Sequence, residues 1–437
     1  MWSRRKKNVC RPSRIKNQRG AAVLIMLTIL VLGAASILIG QLNKINFRQQ
    51  NDQQTDQALL EAKSALIGWS LSYAQRPGLL PVPDLRGDNN YDGDSDCPFG
   101  AINNTHLLGR LPWRVYLNAP PDAYCSSDRG GLGSQIVDAD GEMLWYSVSE
   151  NLLYDSAYPT INSDIKNLSS GWITIRDDQG IVISDRVAAV VLAAGDPLPG
   201  QNRAAAAPTA NNYLDSITVG TTTYSNADFD SDFLIAGESD SFNDRLEYIT
   251  IDQLVAQVER KVIATARSCL DAYAVLSADK YPWASPLDGS APPAYTGIYG
   301  ERFGRIPDTL SIESSPSVND TTMQTTWQPA NCFSGLSYWS DWRESIFYQV
   351  ASGYEPGGSA SCATCLTVDG SGTYPVVLVL AGSELSGQSR SSNSDKGAIG
   401  NYLEAGNVDG DNAFENQAIT TSFNDRAICV DGGDQCR

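Results

Sequence analysis

Ligand chemistry is densest between Asp88 and Asp96, in the run Asp88-Asn-Asn90-Tyr-Asp92-Gly93-Asp94-Ser-Asp96. Oxygen-bearing residues alternate, with Gly at the sixth place, as in the first half of an EF-hand-like loop. A calcium ion needs several hard oxygens, and alternation aims successive side chains at one centre. The bidentate Glu that would close such a loop is replaced by Phe99. The run therefore reads either as a variant loop holding Ca2+ through Asp88, Asn90, Asp92, Asp94 and Asp96, or as a solvated acidic turn. Three sparser patterns read as plain turns: Asp138 to Glu142, Asp228 to Asp232, and Asp409 to Asp411 with Glu415.

Cysteine is the other reactive side chain in quantity. Cys10 lies in a basic leading segment. The remaining eight are Cys97, Cys125, Cys269, Cys332, Cys362, Cys365, Cys429 and Cys436. An even number in an oxidising compartment implies disulfides. Connectivity is not readable, but proximity in sequence suggests Cys97–Cys125, Cys269–Cys332, Cys362–Cys365 and Cys429–Cys436. Cys362-Ala-Thr-Cys365 is the only CxxC, and the one histidine, His106, is remote from it. A strained local disulfide or a shuffled pairing is the better reading than a zinc or redox site. No nucleophile elbow, phosphate loop, zinc helix or dinucleotide fingerprint appears, and nothing singles out an acid pair. The chain does not read as an enzyme.

The elements that must carry these residues begin with a polarised N-terminus. Eight basic and no acidic residues lie at positions 1–20, ahead of the uncharged run Ala21 to Leu42. That run is long enough to cross a bilayer as a helix, with its basic flank held on the cytoplasmic side. No Pro or Gly interrupts Gln41 to Ile67, and Leu59, Ala62, Leu66, Trp69 and Tyr73 fall on one helical face. The pattern predicts one helix over residues 21–75, roughly 80 Å long, ended at Arg76-Pro77-Gly78. Everything beyond it would be extracytoplasmic. The formal charge is −18, and loss of the leader would take it to −26. Such acidity argues against nucleic-acid binding.

Arg19-Gly20-Ala21, with Gly as the last residue before the apolar run, resembles the leader junction of type IV prepilins and pseudopilins. The resemblance is specific over the first 80 residues and only architectural beyond them. It implies cleavage between Gly20 and Ala21 by a prepilin peptidase, methylation of the new N-terminus, and assembly with other pilin or pseudopilin subunits from the bacterial inner membrane. It implies a single-pass protein with a periplasmic head, later carried into a pilus or pseudopilus that can reach the cell surface. Most of the family carry a Glu five residues into the mature chain; here that residue is Ile25. The departure points to a minor or tip subunit of a type IV pilus or type II secretion pseudopilus. The competing expectation is a membrane-anchored extracytoplasmic adhesin or enzyme that never joins a filament.

The rest of the chain is internally duplicated. Val190 to Arg203 has a counterpart in Val376 to Arg390, and Asn212-Tyr213-Leu214-Asp215 in Asn401-Tyr402-Leu403-Glu404. Ser241-Phe242-Asn243-Asp244-Arg245 recurs unchanged as Ser422-Phe423-Asn424-Asp425-Arg426. Matching order and spacing mean a repeated structural unit. The pentapeptide reads as a turn entering a last strand. A second amphipathic helix is predicted over residues 251–276, with Thr250 and Gln253 as its capping box. The expected fold class is α+β: a leader at 1–20, a transmembrane and amphipathic helix at 21–75, and two tandem pilin-like heads at 76–250 and 251–437. Each head would be a helix followed by an antiparallel meander.

Overall fold

The computed structural model describes residues 19–73, 76–85, 91–96, 107–115, 130–153, 160–205, 208–228, 230–287, 295–310 and 332–430. The chain divides into two units, Met1–Asp56 and Gln57–Arg437. Helix α1 (Arg19–Ser72) supplies the described part of the first unit and opens the second.

The expected fold class needs correction. The protein is a mixed α and β fold, and among the described residues no helix is long and apolar enough to cross a membrane. Within α1 the described apolar side chains at the N-terminal end are Leu24 and those from Met26 to Leu32. From Asn46 to Asp56 the helix is mostly polar, with Arg48, Asp52 and Asp56. The compact second unit takes in this helix from Gln57. There Ala58, Leu59, Ala62 and Leu66 are buried.

The second unit holds both copies of the repeat. The first copy contributes β1 (Leu108–Arg110), β2 (Trp145–Val148), β3 (Ile173–Arg176), β4 (Val182–Ala193), β5 (Ser216–Val219), β6 (Thr222–Ser225), β7 (Asp232–Leu234) and β8 (Arg245–Thr250). Helix α2 (Ile251–Leu276) follows at once. Thr250 caps it, its hydroxyl accepting from the Gln253 amide while the Gln253 side chain accepts from the Thr250 amide. The second copy contributes β9 (Thr296–Gly297), β10 (Phe303–Arg305), β11 (Thr309–Leu310), β12 (Ile346–Val350), β13 (Leu366–Val368), β14 (Ser371–Tyr374), β15 (Val376–Leu380), β16 (Ala413–Phe414) and β17 (Arg426–Cys429).

The two sheets share one topology. β1-β2-β4-β8 and β10-β12-β15-β17 are antiparallel ladders in the same order. Gly109 faces Tyr146, which faces Val191; Gly304 faces Tyr348, which faces Leu378. Outside this ladder β3 runs antiparallel to β4 and parallel to β7, and β13 repeats this with β14 and β16. The sequence suggests separate strands at 181–183 and 186–194. The structure makes them one strand, β4, because no residue with turn geometry separates them. In the second copy Pro375, without an amide hydrogen, divides the same path into β14 and β15.

Strand periodicity gives each sheet two buried faces. In the first, Leu144, Tyr146, Val148 and Val191 pack with α1 and the start of α2, while Trp145, Val190 and Leu192 pack on the opposite side with Tyr213 and Phe233. In the second, Ile346, Tyr348, Leu378 and Leu380 pack with α2, and Phe347, Val377 and Val379 pack with Tyr402 and Phe414. Each fully buried Val, Leu or Phe contributes about 1.5–3 kcal/mol.

Candidate functional site: a duplicated arginine–aromatic clamp

The last residue of the first ladder strand is an arginine in both copies: Gly109-Arg110-Leu-Pro and Gly304-Arg305-Ile-Pro. Glycine is required before it, since a Cβ at 109 or 304 would run into the carbonyl of Asp84 or Ser285. Those two residues form the next bridge outward. Asp84 and Arg110 exchange amide–carbonyl bonds of 2.9 and 2.8 Å, and Ser285 and Arg305 bonds of 3.0 and 2.9 Å. The Tyr146 hydroxyl donates to the Pro81 carbonyl at 3.0 Å, and that of Tyr348 to Pro282 at 2.8 Å.

Both guanidinium groups are wedged between two aromatic faces. The Arg110 carbon lies 4.1 Å from the Trp145 ring centre and 4.3 Å from that of Tyr213. Arg305 lies 3.9 Å from Phe347 and 4.3 Å from Tyr402. The two tyrosines come from the repeated Asn-Tyr-Leu. A second arginine lies against each, Arg203 at 5.0 Å from Tyr213 and Arg390 at 4.3 Å from Tyr402. Ring quadrupoles attract cations by about 0.5–2 kcal/mol, more when water is excluded.

Arg110 is 3% exposed and Arg305 is 1% exposed, and burial pushes both guanidinium pKa values down. Glu142 reaches Arg110 at 4.0 Å. Arg305 has no ion pair among the described residues; its Nη2 donates to the Lys396 carbonyl at 2.9 Å, while Nε and Nη1 find no partner. Glu344, the counterpart of Glu142, accepts instead from the Tyr295 hydroxyl. Three residues after Arg305, Asp308 accepts from the Trp339 indole and from Arg343 at 3.0 Å.

Behind each clamp sits a carboxylate bracket that accounts for the repeated pentapeptide. Asp244 accepts from the Asp215 amide at 2.8 Å, and Asp215 accepts from the Asn243 amide at 2.7 Å. Asp425 and Glu404 repeat this at 2.8 Å, with the Asn424 amide at 3.0 Å. Asn226 and Asn407 donate to the buried acids at 3.0 and 3.1 Å, and Gln201 and Gln388 to their partners at 2.8 and 2.7 Å. Burial, reinforced by the neighbouring Asp215, raises Asp244 to about 8; burial, with Glu404 alongside, raises Asp425 to about 8. Phe242 and Phe423 enter the core. The Asn243 and Asn424 amides tie the Gly195 and Gly382 loops, donating to Asp196 and Ser383 carbonyls at 2.8 and 2.7 Å. A Cβ on either glycine would strike that asparagine.

The two copies are joined by charge. On the turn Ser163–Asn167, Asp164 takes Arg390 at 2.8 Å and the Glu384 amide at 2.7 Å. Glu259 of α2, 3% exposed, takes the Ser163 hydroxyl at 2.9 Å, Lys166 at 3.1 Å and Arg426 at 3.6 Å. Arg76 pairs with Asp341 at 3.3 Å.

The residues singled out from the sequence fall elsewhere. Asp88, Asn90, Cys97, Cys125, Cys436 and His106 lie outside the described residues. Of the acidic run, Arg114 lies 3.4 Å from Asp92 and 3.6 Å from Asp94, and Asp96 accepts the Leu85 amide at 2.6 Å. Gly93 has φ +93°, with the Trp113 ring where a Cβ would be. Among the described residues no group of three or more His, Cys, Asp or Glu side chains is placed to hold a metal ion. Asp138 and Asp409 accept amides two residues on, the geometry of plain turns. Cys269 is bonded to Cys332 and Cys362 to Cys365, with Cα separations of 5.5 and 5.2 Å; Cys429 is also disulfide-bonded. Gly20 and Ala21 fall within α1.

The sequence signal that accompanies the clamp is a second repeat: Gly-Arg-Leu/Ile-Pro, then Glu-x-Leu/Ile-Trp/Phe-Tyr at Glu142–Tyr146 and Glu344–Tyr348. It brings together no nucleophile and base. What it offers is cation–aromatic cohesion and, at its outer arginine, recognition of a carboxylate. No family model, curated protein or solved structure matches this chain.

Proposed function

We propose that the protein is a minor or tip subunit of a filament of the type IV pilin and pseudopilin class, working by assembly and not by turnover. The observation that carries this reading is the junction Arg19-Gly20-Ala21, which places a basic leader directly against an apolar segment. The structure is compatible with it in two ways. Leu24, Met26, Leu27, Ile29, Leu30 and Leu32 are each more than half exposed on α1, an apolar surface suited to packing against sister helices. The duplicated body buries its polar clusters in cohesion, as a passive headpiece would. The disulfides suit an oxidising compartment outside the cytoplasm. Prepilin peptidase and other subunits of the class are the implied partners, and Ile25 in place of an acidic residue favours a minor or terminal position.

The test is the N-terminus of the protein recovered from cells. Mass spectrometry should find a chain beginning at a methylated Ala21, and Gly20→Val should leave the leader attached and remove the subunit from sheared filaments. A wild-type chain that retains residues 1–20 would overturn the proposal and leave a subunit that works outside any filament.

A further inference from the structure

The two copies differ at one point of the same loop. Gly195-Asp-Pro-Leu-Pro-Gly200-Gln-Asn-Arg203 and Gly382-Ser-Glu-Leu-Ser-Gly387-Gln-Ser-Arg390 are folded alike. In both, Gln201 or Gln388 closes the turn by accepting the Leu198 or Leu385 amide at 2.8 Å. In both, the arginine donates back to the leading glycine carbonyl, Arg203 at 2.5 Å and Arg390 at 2.9 Å. Arg390 is covered, because the turn bearing Asp164 lies on it. Arg203 is half-buried, its Nε is shut off from solvent, and its charge is felt by Asp215 and Asp244, but among the described residues no carboxylate lies within ion-pair distance of it. Around it Asp196, Pro197, Pro199, Gly200 and Asn202 are exposed.

We propose that the Gly195–Arg203 loop is a docking site for an acidic turn on a sister subunit, whose carboxylate takes on Arg203 the place that Asp164 takes on Arg390. The inference deepens the reading of the protein as an assembling subunit and rests on it for the identity of the partner. The contact between the two copies within the chain shows what the loop is shaped to receive: a carboxylate on a short 3-10 turn opened by Asn162, whose side chain accepts the Asp164 amide. Among the described residues a second copy of this chain offers no free turn of this kind at the two equivalent places. Its own Asp164 is held by its own Arg390. The equivalent connection of its second copy, between β12 and β13, is shorter; there Glu355 folds back on the Gly353 amide at 2.6 Å and Cys362–Cys365 closes the end. The partner is therefore a different subunit with a free acidic turn. One donor is missing from the first loop, since Pro197 stands where Glu384 offers its amide to Asp164. A carboxylate on Arg203 is thus held by the guanidinium alone, which makes a reversible contact.

The probe is a cyclised peptide of residues 160–168, titrated calorimetrically into the full-length protein. Binding should weaken at least about tenfold with Arg203→Ala, and equally when the peptide carries Asp164→Asn. Pro197→Ser, which restores the amide donor, should tighten it about fivefold. Melting curves unchanged by Arg203→Ala separate lost docking from lost folding, and Arg203→Lys, which keeps the charge, should retain part of the affinity. Equal binding by Arg203→Ala, or no binding to either wild type or Pro197→Ser at millimolar peptide, would overturn the proposal. So would self-association of the chain abolished by Arg203→Ala, which would make a second copy the occupant. None of these outcomes depends on cleavage at Gly20, so failure here is distinct from failure of the filament reading.

Discussion

At the residue scale the molecule keeps charge inside by two devices, and they respond differently to conditions. Burial pushes Asp244 and Asp425 towards the neutral acid. Their folded pKa of about 8 lies above the ordinary carboxylate value of 3.8. The folded state therefore binds more protons than the unfolded chain between those limits. The stabilisation is complete below the unfolded value and is lost as pH rises through about 8. Thermal melting should fall by several degrees between pH 6 and 9, and the double variant Asp244→Asn, Asp425→Asn should flatten that slope; an unchanged slope would show that these acids are ionised in the fold. Arg305 is the other device. Lysine is a point charge that cannot fill a planar slot between Phe347 and Tyr402, so Arg305→Lys should cost about 2 kcal/mol in urea denaturation. The pentapeptide was legible as a turn because Asn and Asp have that geometry. The clamp was not, because Arg110, Trp145 and Tyr213 meet only once the ladder is formed, and no local period links them.

Elements show the same division between local and distant causes. Helix α2 was readable end to end, since Val255, Val258, Val262 and Ala266 recur three or four apart and Thr250 with Gln253 is a local device. Thr250→Ala should lower stability by about 1 kcal/mol, seen as a lower urea midpoint at constant slope. What stops a strand was less readable. β4 runs unbroken through Asp185 and Arg186, whereas Pro375 cuts its counterpart, so one proline decides between one long strand and two short ones. Helix α1 shows the limit of reading by composition. The run Ala21 to Leu42 predicts a span, whereas among the described residues no helix is long and apolar enough to cross a bilayer. Loss of the Cys269–Cys332 link, which ties α2 to a point 63 residues on, should destabilise the second copy by roughly 3–4 kcal/mol. Denaturation of the Cys269→Ser, Cys332→Ser double variant would measure it.

For the whole molecule the question is what makes two copies of one design a single body. The cores of the two sheets are separate, apart from Leu71 of α1, which packs on the second, and α2, which is shared by the first core at Ile251, Leu254 and Val255 and by the second from Val258 on. The rest of the joint is polar. Its centre is Glu259, buried on that shared helix and bound by residues of both copies. A buried acid with cations on both sides is costly to break from one side only, because the partners remain desolvated. Glu259→Gln keeps the shape and removes the charge that Lys166 and Arg426 answer. It should cost about 3 kcal/mol, more than Asp164→Asn, whose carboxylate is 30% exposed and partly compensated by water. If the shared helix alone held the copies together, both variants would melt as one transition at nearly the wild-type temperature. If the ionic joint couples them, Glu259→Gln combined with Asp164→Asn should split the calorimetric melt into two steps, one per copy, and open the polypeptide near Ser163–Asn167 to limited proteolysis. The second outcome is expected, since an α-helix transmits position along its axis but leaves the two sheets free to twist about it until a side-chain lock closes across them.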